Sequence, residues 1–190
     1  MKLNNIYYLL RHGQALSNVN NILSCWPEKG SFPLTKEGEK QIERVLIEIK
    51  KIGIDLIFSS DILRTKQTAE IIGIELNIDI EYDKRLREHN VGIFNSKPIQ
   101  DLKDFLPPKG EKRFEVRVPE GETYAEIKNR MLDFLTDIDK RYKDKNILIV
   151  SHELPLALLE AGFKNISNKD FYQKEFQDKK LNNGELRKLN

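Results

Sequence analysis

The sequence runs from the apolar stretch Ile6 to Leu9 straight into Leu10-Arg11-His12-Gly13-Gln14. An apolar run that stops at Arg-His-Gly reads as a buried strand handing a fixed cation and a titratable imidazole to a loop. Of the three histidines in the chain, a second, His152, follows the apolar run Ile147 to Val150. In open α/β sheets, ligands collect beyond the carboxyl ends of the strands. Arg64 and Glu88 follow two further predicted strands, so Arg11, His12, Arg64, Glu88 and His152 gather on one edge of one sheet. Two strand-end imidazoles among guanidinium groups suit an oxyanion such as phosphate.

Phosphoryl transfer needs an in-line nucleophile, cations for the equatorial oxygens and an acid for the leaving oxygen. A neutral imidazole is a competent nucleophile near pH 7 and can carry the phosphoryl group covalently. The planar guanidinium donates paired hydrogen bonds to phosphate and keeps its charge. A carboxylic acid with a raised pKa can protonate the departing alkoxide.

These side chains need an alternating α/β scaffold. Ile6 to Leu10 is the first predicted strand. Thr35 is placed to cap a helix with Glu37 and Glu39 in its first turn, where the dipole favours acids. Ile42, Val45, Leu46, Ile49 and Ile52 then recur at helical spacing, and Gly53 closes the element. Leu56-Ile57-Phe58 is a second buried strand, followed by a helix over about Leu63 to Leu76 and a short strand within Asp79 to Tyr82. Thr123 and Glu126 form a capping-box pattern ahead of a long apolar face, Tyr124, Ile127, Met131, Phe134, Leu135 and Ile138. The strand Ile147 to Val150 and a helix from Leu154 to Ala161 follow. The tail from Lys164 is polar, with an edge strand expected at Leu186 to Leu189 after the turn at Asn183-Gly184. This alternation implies a three-layer α/β/α sandwich around a mostly parallel sheet. Residues 1–190 are read as one domain. Pro98, Pro107, Pro108 and Pro119 break the pattern from about 90 to 121, an irregular excursion that is either a lid over the site or a surface connection.

Composition narrows the function classes. The 32 basic and 30 acidic residues are interspersed and leave a formal charge of +2, which provides no field for nucleic acid or an anionic membrane. No stretch approaches the roughly 20 apolar residues of a membrane helix, and no secretory signal is visible. Cys25 is the single cysteine and cannot form an internal disulfide. It reads as packing beside Trp26 rather than as a nucleophile, and the expected location is the reducing cytoplasm.

Six ordered blocks then resemble the histidine phosphatase superfamily, in its phosphoglycerate mutase-like branch. Arg11-His12-Gly13 is similar to the family signature, and Asn18 matches the asparagine that follows it. Leu34-Thr35 through Gly38, with Gln41, resembles the start of the first family helix. Ser59 through Ala69 resembles the block whose arginine binds phosphate, here Arg64. Leu86-Arg87-Glu88 resembles the block that supplies the acid. Gly121-Glu122-Thr123 and Val150-Ser151-His152 complete the set.

The resemblance implies His12 as the phosphorylated nucleophile, with Arg11, Arg64 and His152 gripping the transferring group and Asn18 donating to its oxygens. Glu88 would protonate the leaving group and then activate water. Gln14 would touch substrate, and Trp26 would wall the pocket. The acid-phosphatase branch places its acid directly after the second histidine, so Glu153 is a rival to Glu88, which is preferred. His89 is read as a substrate contact or a surface residue, with the surface preferred. Lys97, Lys112, Arg113 and Arg117 are read mainly as solvated, although they are candidates to meet a second anion. No metal and no cofactor is implied.

The expected activity is hydrolysis of a small phosphorylated metabolite, because 190 residues leave no room for the inserts with which the mutases exclude water. The alternatives are a cofactor-dependent phosphoglycerate mutase and a non-catalytic member that binds a phospho-ligand or a protein. Family members are monomers or homodimers, and either is compatible with this chain.

Overall fold

The computed structural model describes residues 2–107, 110–171 and 180–190. Pro108, and the part of the polar tail spanning 172–179, lie outside them. Five strands form the central sheet: β1 (Ile6–Arg11), β2 (Leu56–Ser59), β3 (Ile80–Tyr82), β4 (Asn146–Ser151) and β5 (Leu186–Lys188). Their order is β3-β2-β4-β1-β5, parallel except for β5, which pairs antiparallel with β1 at the edge. The helices are α1 (Leu16–Val19), α2 (Lys36–Ile52), α3 (Leu63–Leu76), α4 (Ile99–Phe105), α5 (Tyr124–Arg141) and α6 (Glu153–Phe163). A further single turn spans Asn168–Asp170. No helix among the described residues is long and apolar enough to cross a membrane.

Alternation along the strands builds the three layers. Tyr7, Leu9, Phe58, Ile147 and Ile149 face α5 and α6. The residues between them, Leu10, Ile57, Leu148 and Val150, pack with Ile42, Leu46 and Ile49 of α2 and with Ala69 and Ile72 of α3. Both faces of the inner strands are therefore apolar, as a parallel sheet covered on both sides requires. The chain leaves β1 toward the α2 face and leaves β4 toward the α6 face. Because β1 and β4 are neighbours, their carboxyl ends flank the switch point where such sheets open a ligand crevice.

The helix ends follow local chemistry. The Thr35 hydroxyl accepts from the Gly38 amide at 3.0 Å, and α2 ends at Gly53 in the left-handed conformation at φ 72°. The capping box on α5 is closed in both directions, Glu126 N to Thr123 Oγ1 at 3.1 Å and Thr123 N to Glu126 Oε2 at 2.9 Å. The start of α3 has no side-chain cap of its own; instead Glu28, from a distant loop, accepts from Leu63 N at 3.1 Å. The excursion over 90–121 contains α4 and two 3-10 turns, Gly92–Phe94 and Glu111–Phe114. It packs a small core of its own, in which Val91, Phe94, Leu102, Leu106 and Val118 surround Cys25.

Two glycines set how closely the signature loop docks on α2. A Cβ on Gly38 would lie 2.1 Å from the Gln14 carbonyl oxygen, and a Cβ on Gly13 would lie 2.5 Å from the Gly38 carbonyl oxygen. Both obstacles are backbone and cannot rotate aside. Gly38→Ala is expected to destabilise the fold by about 2 kcal/mol, the scale of overpacking. Urea denaturation should show the fall in midpoint, and an unchanged midpoint would contradict this account of the contact.

Candidate active site

The carboxyl ends of β1 and β4 bring the two imidazoles together. Arg11 ends β1 and His12 follows it, while His152 is the N-cap residue of α6. His12 N donates to the Ser151 carbonyl at 3.1 Å, so the β1–β4 ladder continues one residue past the strand. The two rings meet edge to face with centroids 5.3 Å apart. Both are buried, at 2% and 0% exposure.

Arg64, in the first turn of α3, joins them. Its Nε lies 3.0 Å from His12 Nε2 and its Nη2 lies 3.0 Å from His152 Nδ1. The remaining donors reach the Ser24 hydroxyl at 3.3 Å and the Ser24 carbonyl at 3.1 Å. This geometry fixes the tautomers. His12 Nδ1 lies 2.7 Å from the Gly13 carbonyl, which can only accept, so Nδ1 carries the proton and Nε2 presents its lone pair. His152 accepts from Arg64 at Nδ1, so its Nε2 proton goes to the Ser60 hydroxyl at 3.0 Å. Burial, then the Arg64 charge, holds both imidazoles well below the usual imidazole range. Both are therefore neutral near pH 7.

Glu88 lies across the guanidinium from His12. Its Oε2 is 3.8 Å from both Arg64 Nη2 and His152 Nδ1. Burial raises its pKa against the opposing pull of Arg64, as a proton donor requires. The backbone around it is pinned. Arg130 donates to the carbonyls of Arg85 at 2.5 Å and Glu88 at 3.2 Å, and pairs with Glu122 at 2.9 Å. Glu122 in turn accepts from Asn90 N at 2.9 Å. Ser151 Oγ donates to the Leu86 carbonyl at 2.7 Å and ties this segment to the end of β4.

Glu153 stands differently. One oxygen pairs with Arg11 Nη1 at 2.6 Å and the other with Lys180 Nζ at 2.9 Å. Both oxygens are taken by cations, the arrangement of a structural carboxylate. Arg11 also donates to the Leu181 carbonyl at 2.8 Å, while its buried Nε has no partner among the described residues.

A cavity of about 260 Å³ opens over this constellation. Arg11, His12, Asn18, Arg64, Glu88 and Glu153 line its floor. The Asn18 oxygen accepts from Ala15 N at 2.9 Å, so its amide donors are the groups left for the cavity. Gln14 does not line it: its side chain meets the Thr35 hydroxyl at 2.9 Å. Trp26, 45% exposed, lies under the Arg87 guanidinium at 4.1 Å. It walls a separate cavity of about 200 Å³ that reaches Glu88 from the other side.

The surface reading of His89 is overturned. The residue is 3% exposed, its ring packs against Tyr124, and its Nε2 donates to the Glu122 carbonyl at 3.0 Å. Cys25 is buried, and burial pushes its thiol up to about 11, which suits packing. Of the cations in the excursion named from sequence, Arg113 reaches the cavity, whereas Arg117 pairs with Glu126 and Lys97 lies on the Phe94 ring. Ser24, Ser60, Arg130 and Lys180 were missed, as was Asn183, which donates to the His12 carbonyl at 3.2 Å. Of these, Asn183 had a sequence signal in its Asn-Gly turn, and Ser60 lay in the block that carries Arg64.

A parallel α/β/α sheet with two neutral imidazoles and a shared guanidinium at its switch point defines an oxyanion-handling α/β protein. The chain belongs to the histidine phosphatase superfamily, branch 1, whose family model matches residues 7–188. It is 33% identical over 156 residues to the probable phosphoglycerate mutase GpmB of Escherichia coli O1:K1, covering 80% of this chain and 71% of that one. Its fold is similar to YhfR of Bacillus stearothermophilus, with a TM-score of 0.82 at 24% identity over 96% of this chain and 89% of that one. It is also similar to a mycobacterial glucosyl-3-phosphoglycerate phosphatase solved with VO3, with a TM-score of 0.81 at 20% identity over 96% and 91%.

All three histidines are buried with lowered pKa values, His89 to about 4. The unfolded chain takes up their protons near pH 6.5, where the native state does not. Each therefore contributes stability above that pH which is lost as pH falls toward its native value, by up to about 1.4 kcal/mol per pH unit. Glu88, with its raised pKa, opposes this with one proton. The urea midpoint is expected to fall between pH 7 and pH 5; a midpoint that held or rose would show that the imidazoles are protonated in the native state.

Proposed function

We propose that the chain is a phosphatase that hydrolyses a small-molecule phosphomonoester through a phosphohistidine on Nε2 of His12. The observation that carries this reading is the Arg64 guanidinium set 3.0 Å from each imidazole, with the Glu88 carboxyl 3.8 Å away. Nε2 attacks phosphorus, the ester P–O bond breaks, and the alkoxide takes the proton of Glu88. Water then attacks the phosphohistidine, the Glu88 carboxylate accepts the water proton, the P–N bond breaks and phosphate leaves. Arg64 transfers its Nε donor from the imidazole lone pair to a phosphate oxygen as the substrate enters. The unpartnered Arg11 Nε meets another oxygen, and Asn18 a third. As the dianion binds, Arg64 Nη2 turns from His152 Nδ1 to a phosphate oxygen, and Nδ1 takes a proton from solvent and donates it to the phosphate.

Water reaches the acid, because the Glu88 side chain keeps 22% of its surface exposed. Solvent access favours hydrolysis over transfer to a second substrate. A phosphoglycerate mutase is the second reading, supported by the likeness to a protein named as one. Incubation with 3-phosphoglycerate, with and without its bisphosphorylated form, separates the two: free phosphate is expected, and isomerisation outpacing its release would reverse the choice.

His12→Ala should lower turnover by far more than tenfold, because no other side chain among the described residues is set for in-line attack. Labelled substrate should leave an acid-labile adduct on wild type and none on the variant; a variant that still turns over would exclude the mechanism. Glu88→Gln should slow an alkyl phosphate by about 100-fold or more, the usual scale of general-acid catalysis. It should slow p-nitrophenyl phosphate less, since that leaving group needs little help. Glu153→Gln should leave this leaving-group dependence unchanged. If the dependence moves with Glu153 instead, the acid has been assigned to the wrong carboxyl.

A further inference from the structure

The floor of the main cavity accounts for a phosphoryl group but not for the walls above it. Beyond Glu88 the lining changes character: Ile22, Leu23, Val91, Ile99, Leu102 and Tyr124 form an apolar collar. Leu102, Val91 and Leu23 belong to the core of the excursion, so its own packing holds the collar in shape. Against the aliphatic part of that collar a sugar or glycerol body would find no partners for its hydroxyls, whereas a hydrocarbon body would lose only water.

A line of side chains leads outward from the acid. His89 adjoins Glu88, and its ring packs on Tyr124 with centroids 5.3 Å apart. The Arg113 guanidinium then lies 5.8 Å from the Tyr124 centroid. Arg113 lines the same cavity, and it has no carboxylate partner among the described residues. Its Nη1 donates to the Pro107 carbonyl at 3.4 Å, and its buried Nε has no hydrogen-bond partner among the described residues. Lys103 adds a second positive charge to the lining. Lys180 contrasts with both, since Glu153 holds it at 2.9 Å.

From this we infer that the outer chamber selects the leaving group: an alcohol with an apolar, ring-sized body that ends in an anionic group. The body lies in the collar against Tyr124 and Leu102. The terminal anion meets Arg113, whose planar fork matches a carboxylate or a further phosphate. The assignment rests on the phosphatase reading of the floor and adds the class of ester that it takes.

Three esters of primary alcohols test it with leaving groups of similar basicity: glycerol 3-phosphate, benzyl phosphate and 4-carboxybenzyl phosphate. Wild type is expected to show a kcat/KM for benzyl phosphate about tenfold or more above that for glycerol 3-phosphate. The carboxyl group should add a further factor of about five. In Arg113→Gln that second factor should fall to about one. Both benzyl esters are measured on the same sample, so the ratio does not depend on how much of the variant folds. Equal or better turnover of glycerol 3-phosphate overturns the inference while leaving the phosphatase reading standing, as does a carboxyl preference that survives in Arg113→Gln. Hydrolysis of none of the three counts against the phosphatase reading instead. The chamber is then read from dissociation constants of benzylphosphonate and 4-carboxybenzylphosphonate, whose ratio should follow the same pattern and overturns the assignment if it does not.

Discussion

A single buried guanidinium organises this site. Arg64 is 3% exposed, and its donors reach two imidazoles and both oxygens of Ser24. A charge taken out of water is tolerated only where its hydrogen bonds are replaced. Here the replacements are lone pairs on His12 and His152, so the cation and the two rings hold one another in place. The same contacts force both rings into the neutral form and dictate which nitrogen of each carries the proton. The nucleophilic face of His12 thus follows from the satisfaction of a neighbouring cation, through Nδ1 on the Gly13 carbonyl and Nε2 on Arg64.

Everything further out keeps that triad in register. Gly13 N donates to Thr68 Oγ1 at 3.2 Å, and Thr68 Oγ1 donates to the Arg64 carbonyl at 2.8 Å, which links the signature loop to the helix that carries the arginine. Glu28 caps that helix from the loop that also supplies Ser24. The C-terminal segment closes the opposite side: Gly184 N donates to the carbonyls of Arg11 and His12, each at 3.1 Å, and Leu181 accepts from Arg11. The acid is held separately, by Arg130 and Glu122. The groups assigned to phosphate and the group assigned to the proton in the proposed reaction are therefore anchored to different parts of the scaffold.

Sequence pattern carried the scaffold well because strands and helices here are written in local periodicity. Leu63–Leu76 has the extent read from its pattern, and the Thr35 and Thr123 caps work as their residue types require. The five charged and imidazole positions were legible because each lies at, or within six residues of, the end of a readable strand. Side chains whose role depends on long-range docking were not. Ser24 and Arg130 sit in no motif, yet one satisfies Arg64 and the other holds the acid's backbone. Gln14 and Trp26 follow His12 in the sequence but are turned to Thr35 and Arg87. His89 looked like a surface residue because a polar type beside Glu88 carries no sign of the Tyr124 ring that buries it. The excursion offered several cations of equal appearance, and only packing decided that Arg113 turns inward.

The position after the second histidine shows why residue type alone does not assign the acid. Glu153 is a carboxyl one residue from His152, at the first turn of α6, where the helix dipole already favours a negative charge. Arg11 and Lys180 then occupy its two oxygens. Glu88 instead has a single backbone donor, His89 N at 2.8 Å, and a burial cost that outweighs the pull of Arg64. In the proposed reaction the phosphate dianion arrives against Arg64 and Arg11 and takes up part of the charge that draws a proton off Glu88. The acid is then best able to hold its proton when a leaving group is present to receive it. Glu153 depends on it less, because Lys180 stays on its second oxygen when Arg11 turns charge toward the phosphate. In that scheme Glu153 holds Arg11 by Nη1, and the buried Nε of that guanidinium, without a partner among the described residues, is left for the substrate.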